Sequence, residues 1–189
     1  IRPPTNDGRK VIIFVNISNF FSSSSAVFGI DPAVEVAAHE WTHTVQGILS
    51  DNYMPVPCWW TEGSASYFAE VISVRDNINS FVDFLPVRSR YVRLRVETEA
   101  NHRTEDTWSD WLENEECNDD SYGAGFLAAE YLIGQYGISK VIEMMDAFGR
   151  EVPWQTVMEQ TFGMPRPHLY SEIATHLRFV FGSTAYIAN

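Results

Sequence analysis

The sequence predicts an α+β fold that is mostly α-helical, with a small β-portion in residues 1–30 and a helical portion in residues 31–189. Val11–Val15 is a short apolar run rich in β-branched residues, which is typical of a buried strand. After residue 31, most of the chain instead repeats its apolar residues at helical spacing. A length of 189 residues fits one domain, so we expect residues 1–189 to form a single unit.

Composition and charge exclude several classes of protein. Hydrophobic residues make up 45% of the chain and aromatic residues 14%, which is too much for a disordered protein. The apolar runs are too short to cross a bilayer, so we expect no membrane span. The chain carries 13 basic and 25 acidic residues, a net charge of −12, and a nucleic-acid partner would need the opposite sign. We therefore expect no nucleic-acid partner.

The first elements follow from local signals. Ser25–Ile30 is interpreted as a second strand, at the edge of the β-portion. Asp31 and Pro32 form a helix start, because an N-cap residue precedes a proline at the first helical position. Ala33–Leu49 then shows helical spacing, and Gly63–Val74 is predicted to be a second helix.

The rest of the chain is predicted to be helical with one loop. Phe81–Val96 is interpreted as helical, whereas Glu105–Asp120 is rich in carboxylates and is interpreted as an exposed loop with short helical pieces. Tyr122–Tyr136 is predicted to be an amphipathic helix that ends at Gly137. Three further helices are predicted over Ser139–Phe148, Trp154–Thr161 and Leu169–Phe181.

The most informative segment is His39-Glu40-Trp41-Thr42-His43. On a helix, the two histidines lie ~40° apart around the axis and one turn apart along it, so both imidazoles can reach one ion. Zinc accepts such nitrogen ligands in a roughly tetrahedral shell. Glu40 lies ~100° from His39 and ~60° from His43, beside the metal, where it can reach a metal-bound water as a general base.

A third ligand follows at a suitable distance. Glu62 comes after His43 with residues 44–61 between them, and its context Glu62-Gly63-Ser64-Ala65-Ser66-Tyr67 reads Glu-Gly-x-Ala-x-Tyr. This pattern resembles the gluzincin zinc metallopeptidases, whose signature is HExxH, about eighteen residues and then a ligand glutamate on a second helix. The glutamate's context is similar to the aminopeptidase-N-like branch, and the resemblance is strongest over Val34–Val74.

The resemblance implies a thermolysin-like catalytic domain. It further implies one Zn²⁺ per chain, bound by His39, His43 and Glu62, with Glu40 as the general base. Three protein ligands leave the fourth position open, as in catalytic zinc sites. The implied activity is hydrolysis of a peptide or protein substrate by a metal-activated water.

Tyr122-Gly123-Ala124-Gly125 is similar to a Tyr-x-x-Gly segment of the aminopeptidase-N-like enzymes, in which the phenol stabilises the oxyanion. The family usually has charged residues between the tyrosine and the glycine, and here Gly-Ala takes their place. Tyr122 is therefore either a catalytic residue or a residue that packs at a helix start.

The sequence predicts an endopeptidase, and two other functions are compatible with the same residues. The Gly-x-Met-Glu-Asn segment with which the aminopeptidase branch binds a free amino terminus has no counterpart in residues 1–38, so we expect an endopeptidase. The alternatives are a non-catalytic zinc-binding interaction module of the same fold and a metal-dependent hydrolase of a non-peptide substrate. The chain begins at Ile1 without a leader, which we interpret as a mature product. A disulfide between Cys58 and Cys117 would suit a secreted, extracellular protein.

Other residues receive structural interpretations. Glu70 is expected to be solvated, and at least one of Trp59 and Trp60 is expected to lie in the core. The remaining histidines have no paired spacing and are not expected to be ligands; they are His102, His168 and His176.

Overall fold

The structure is a computed structural model that describes residues 32–50, 56–76, 105–114, 119–148, 150 and 152–182. These residues form seven α-helices: α1 Pro32–Leu49, α2 Cys58–Asp76, α3 Glu105–Asn114, α4 Asp119–Tyr136, α5 Ile138–Phe148, α6 Trp154–Phe162 and α7 Arg166–Gly182.

The predicted α+β class is wrong. The described residues are 90% helical and contain no strand, so this part of the chain is helical rather than α+β. Both predicted strands, at 11–15 and 25–30, lie outside the described residues, as does the predicted helix over 81–96. The class had been inferred from two short apolar runs. Periodicity alone does not identify a run of that length as a strand, and two strands are only marginally stable by themselves.

Helix α1 begins at Pro32, as predicted, but α2 begins earlier than expected. It starts at Cys58 rather than at Gly63. The backbone N–H groups of Trp60 and Thr61 donate to the carbonyl of Pro57 at 3.0 and 3.1 Å, so the first turn forms directly after the proline. Glu62 consequently lies inside a helix rather than in the approach to one.

The acidic segment 105–120 is predicted to be an exposed loop with short helical pieces, whereas its first 10 residues form one continuous helix, α3. Trp108 and Leu112 are fully buried and Trp111 is nearly so, because they recur at helical spacing and share one face. The Trp108 ring stacks on Phe181 of α7, with ring centroids 5.2 Å apart. The predicted exposure of this segment is wrong, because an apolar stripe runs between its carboxylates and packs on the core.

The predicted helices of the C-terminal half are confirmed, with ends that differ by a few residues. Helix α4 ends where Gly137 adopts a φ of 83°, and its N–H donates to the carbonyl of Ile133 at 2.9 Å. Gly163 has a φ of 71° and ends α6 in the same way. Residues with a Cβ rarely adopt these backbone angles, so the glycines define the helix ends.

Helix α4 lies at the centre of the described part and packs against α2, α5 and α7, while α2 lies between α1 and α4. The backbones of α2 and α4 touch. A Cβ added to Gly63 would lie 2.1 Å from the carbonyl carbon of Gly125, and a Cβ on Gly125 would lie 2.4 Å from the carbonyl oxygen of Trp59. Only glycine permits this approach, which carries the first turns of α4 close to Glu62.

None of the helices in the described part has the length and apolar character that a membrane span requires.

Candidate metal centre

Helices α1 and α2 bring together the three predicted metal ligands. His39 and His43, one turn apart on α1, place their Nε2 atoms 3.0 Å from each other. Oε2 of Glu62, on α2, lies 3.2 Å from Nε2 of His39 and 3.4 Å from Nε2 of His43. The two imidazole planes are nearly perpendicular, at 84°, so their edges converge on one point. Within the described residues this is the one cluster of three such side chains.

The spacing of these three atoms fits a tetrahedral ion. Zinc bound at about 2.0–2.1 Å has ligand atoms roughly 3.3 Å apart in a tetrahedral shell. The three observed separations of 3.0, 3.2 and 3.4 Å lie around that value. The three side chains are between 15% and 23% exposed, so the cluster lies at the surface rather than inside the core. A small ligand can therefore approach it.

Charge within the cluster shifts two pKa values in opposite directions. Burial alone would raise the pKa of Glu62, but hydrogen bonds and positive charge from His39 and His43 outweigh it and lower the pKa from 4.5 to about 2. Burial alone would lower the pKa of His43. Hydrogen bonds to Glu62 and Gln46, with the charges of Glu62 and Glu40, raise it above 6.5 instead. Without a metal, the carboxylate and the imidazoles therefore stabilise one another.

Glu40, the predicted base, lies next to His39 on α1 and is partly exposed. Its negative charge is the smallest of the causes that raise the pKa of His43. The position agrees with the helical geometry that the sequence predicted.

Tyr122 is also brought to the site. Its ring stacks on His39 with centroids 5.9 Å apart and planes inclined by 23°, and the side chain is 45% exposed. The contact between Gly125 and Gly63 explains this placement, because Tyr122 lies about one turn before Gly125 on α4. The tyrosine therefore contacts a predicted ligand and also faces solvent.

Polar side chains that were not identified from the sequence contact the predicted ligands. Nδ1 of His43 lies 2.8 Å from Oε1 of Gln46, and Nε2 of Gln46 donates to the carbonyl of Thr61 at 2.9 Å and to Oγ of Ser64 at 2.8 Å. Oγ of Ser66 lies 3.5 Å from Nδ1 of His39, the outer limit of a hydrogen bond. Gln46 lies three residues after His43, and this helical spacing is the sequence feature that could have predicted their contact.

Two further expectations can be compared with the structure. Glu70 was expected to be solvated and is fully buried, so that prediction is wrong. The reason is that α2 packs between α1 and α4, which leaves it little solvated surface. Trp59 and Trp60 are both in the core, each 1% exposed. Neither His168 nor His176 belongs to the cluster of ligands, and His102 lies outside the described residues.

Comparisons with known proteins found no match to this chain among protein-family models, curated proteins or solved structures.

Proposed function

We propose that this protein is a zinc-dependent metallopeptidase of the gluzincin type that hydrolyses peptide bonds, acting as an endopeptidase. One observation carries the proposal: Nε2 of His39, Nε2 of His43 and Oε2 of Glu62 converge within 3.4 Å of one another. Two imidazoles and one carboxylate are a donor set that zinc accepts and that catalytic zinc sites use.

The three side chains would hold the ion in distinct ways. His39 and His43 offer neutral nitrogen donors from one rigid helical turn. Glu62 offers an anionic oxygen from a second helix, and its low pKa keeps it charged across the neutral range. Zinc, when bound, would polarise the substrate carbonyl and acidify a water molecule. Three protein ligands leave a fourth position for that water or the substrate.

Glu40 would act as the general base and acid. Its carboxylate accepts a proton from the attacking water and then donates it to the amine that leaves as the peptide bond breaks. Its position on the same helical turn as His39 and His43 fixes its distance from the reacting centre.

Tyr122 would donate a hydrogen bond to the oxyanion that forms on the substrate carbonyl. The ring is held against His39, while 45% of the side chain remains exposed to a substrate. A hydroxyl that is positioned before the reaction begins stabilises the developing charge without reorganisation.

The compartment is proposed to be extracellular. Cys58 is disulfide-bonded, and disulfides persist mainly in oxidising compartments. The sequence holds one other cysteine, Cys117. Titration of the purified, unreduced chain should find no free thiol, and a stoichiometric thiol would argue against this location.

The proposal is tested by digesting a broad peptide library with the zinc-loaded chain, with and without a chelator. We expect internal cleavages that stop with chelator and return with zinc. Glu40→Gln should keep its zinc and lose about 10²- to 10⁴-fold in rate, as when a general base is removed. Glu143→Gln is the matched control, because Glu143 is an exposed glutamate on α5 that pairs with Lys140. Zinc binding without any cleavage, or full activity in Glu40→Gln, would overturn the proposal.

A further inference from the structure

We propose that Gln46 is a positioning residue: it holds His43 in the tautomer that presents Nε2 to a metal, and it joins this ligand to the segment that carries Glu62. This inference rests on the proposed metal site and extends it to a residue that contacts no metal itself. It follows from the contacts of a single side-chain amide.

The backbone defines which way this amide faces. A carbonyl oxygen can only accept a hydrogen bond, so the group of Gln46 that lies 2.9 Å from the carbonyl of Thr61 must be the NH₂. The same NH₂ has a second proton, which it donates to Oγ of Ser64 at 2.8 Å. Both protons of the amide are thereby used, and Oε1 must face the other way.

The amide orientation then determines the tautomer of His43. Oε1 of Gln46 can only accept, and it lies 2.8 Å from Nδ1 of His43, so Nδ1 must carry a proton. In a neutral imidazole the other nitrogen, Nε2, then has its lone pair free. That lone pair is what a metal needs, and Nε2 is the atom that converges with His39 and Glu62.

The same amide connects two ligands across helices. Thr61 precedes Glu62 directly, so the bond to its carbonyl ties the backbone of the third ligand to the side chain that orients the second. Gln46 is 6% exposed and Ser64 is fully buried, so water cannot readily replace these hydrogen bonds. The position of His43 and the position of α2 are therefore linked through one buried group.

Among the described residues, no side chain holds Nδ1 of His39 as closely as Gln46 holds Nδ1 of His43. Oγ of Ser66 lies 3.5 Å from Nδ1 of His39, and a hydroxyl can either donate or accept, so this contact does not select a tautomer. Changing Gln46 should therefore weaken metal binding more than changing Ser66. This asymmetry distinguishes a positioning role from a general effect of polar groups near the site.

The tautomer is measured directly by ¹⁵N NMR of the metal-free full chain at alkaline pH, where His43 is neutral. We expect the proton on Nδ1 of His43 in the wild type and a shift towards Nε2 in Gln46→Met, which has a similar shape but no amide. Gln46→Glu keeps an acceptor opposite Nδ1 and should keep the tautomer. Thr42→Val is the matched control, because Thr42 is buried on the same helix and its hydroxyl donates to the carbonyl of Ala38 on that helix at 2.9 Å.

Zinc affinity is then measured by competition with a chromophoric chelator. We expect Gln46→Met to bind zinc about 10- to 100-fold more weakly, as is usual when a group that orients a ligand is lost. Ser66→Ala should lose less, and Thr42→Val should bind as the wild type does. An unchanged His43 tautomer in Gln46→Met, or equal affinity in Gln46→Met and Ser66→Ala, would overturn the inference. Should Gln46→Met fail to fold, loss of the Nδ1 proton in Gln46→Glu would overturn it instead.

Failure of the inference and failure of the proposed function are separable. A wild-type chain that binds no zinc would refute the proposed function, whatever the tautomer. A wild-type chain that binds zinc and cleaves peptides, with the same zinc affinity in Gln46→Met, would refute only the role of Gln46.

Discussion

Oε2 of Glu62 lies 3.2 Å from Nε2 of His39, although the two residues are 23 positions apart in the sequence and belong to different helices. The contact exists only when α1 and α2 are packed together. An ion held by both residues would therefore stabilise that packing, and loss of the packing would release the ion. Metal binding and the stability of this part of the fold should thus be coupled.

Removal of one ligand should abolish metal binding. We expect the wild-type chain to carry one zinc and His39→Ala to carry little, because the two remaining ligands do not complete a tetrahedral set. Zinc at 100 times its dissociation constant should stabilise the wild type by about 2.7 kcal/mol and leave the variant unchanged. Metal analysis and thermal unfolding measure both effects.

His168→Ala serves as the control for that experiment. His168 is exposed, and its Nε2 lies 3.5 Å from Oε1 of Glu172 on the same helix. It is not part of the cluster of predicted metal ligands. It should keep full zinc content. Stoichiometric zinc in His39→Ala would mean that the ligand set is wrong.

The stability of the metal-free protein should depend on pH in two windows. Glu62 has a pKa lowered from 4.5 to about 2, so its contribution is fully present above pH 4.5 and is lost as the pH falls towards 2. His43 has a pKa raised above 6.5, so its contribution is present below pH 6.5 and is lost as the pH rises through the higher value.

Urea unfolding across pH measures this dependence in the metal-free chain. We expect the Glu62–His43 pair to contribute most to the free energy of unfolding between pH 4.5 and 6.5. In Glu62→Gln the free energy of unfolding should depend less on pH both below and above this range. In the zinc-loaded chain the free energy of unfolding should instead rise as the pH rises through the pKa of His43, because protons compete with the metal for the imidazoles. Identical pH profiles of the wild type and Glu62→Gln would contradict the ion pair.

The contact between α2 and α4 should not tolerate a methyl group. In Gly63→Ala the new Cβ would lie 2.1 Å from a backbone carbon of Gly125, so the helices must separate. We expect a loss of about 1–3 kcal/mol or more in the free energy of unfolding. Chemical denaturation of the metal-free chain measures it without any contribution from zinc.

Gly134→Ala is the matched control in α4, because a Cβ at Gly134 would meet no atom within 4 Å. It should stabilise the chain by roughly 0.5–1 kcal/mol, since alanine favours a helix more than glycine does. If Gly63→Ala were as stable as Gly134→Ala, the close approach of the two helices would be disproved.

Tyr122→Phe should separate catalysis from metal binding. Loss of the phenolic hydroxyl should lower the rate of peptide hydrolysis by about 10²- to 10³-fold, the usual effect of removing one oxyanion donor. Zinc affinity should not change, because the phenyl ring can still stack on His39. Steady-state kinetics and chelator competition measure the two quantities.

Tyr131→Phe removes a hydroxyl from the same helix that bonds to Glu172, and it should leave hydrolysis unchanged. If Tyr122→Phe hydrolysed peptides at the wild-type rate, Tyr122 would be a packing residue at the start of α4. That is the alternative which the sequence left open.

The local parts of the site could be predicted from the sequence. The spacing of His39 and His43 is enough to predict that their imidazoles lie side by side, because a helix places residues i and i+4 on one face in any surroundings. Helix α1 was predictable for the same reason, from its start at Pro32 and the apolar spacing that follows. For α3 the sequence predicted short helical pieces in an exposed loop. It did not predict the buried face, because the many carboxylates outweighed the helical spacing of Trp108, Trp111 and Leu112.

What the sequence by itself determined is the local chemistry: two imidazoles and a carboxylate on one turn, with a second carboxylate on a later helix. The tertiary structure decided whether these groups meet, because that depends on how α1, α2 and α4 pack. The contact of Gly63 with Gly125 carries Tyr122 to His39, and the amide of Gln46 spans α1 and α2. Contacts between helices depend on packing in three dimensions, and no periodicity along one chain encodes them.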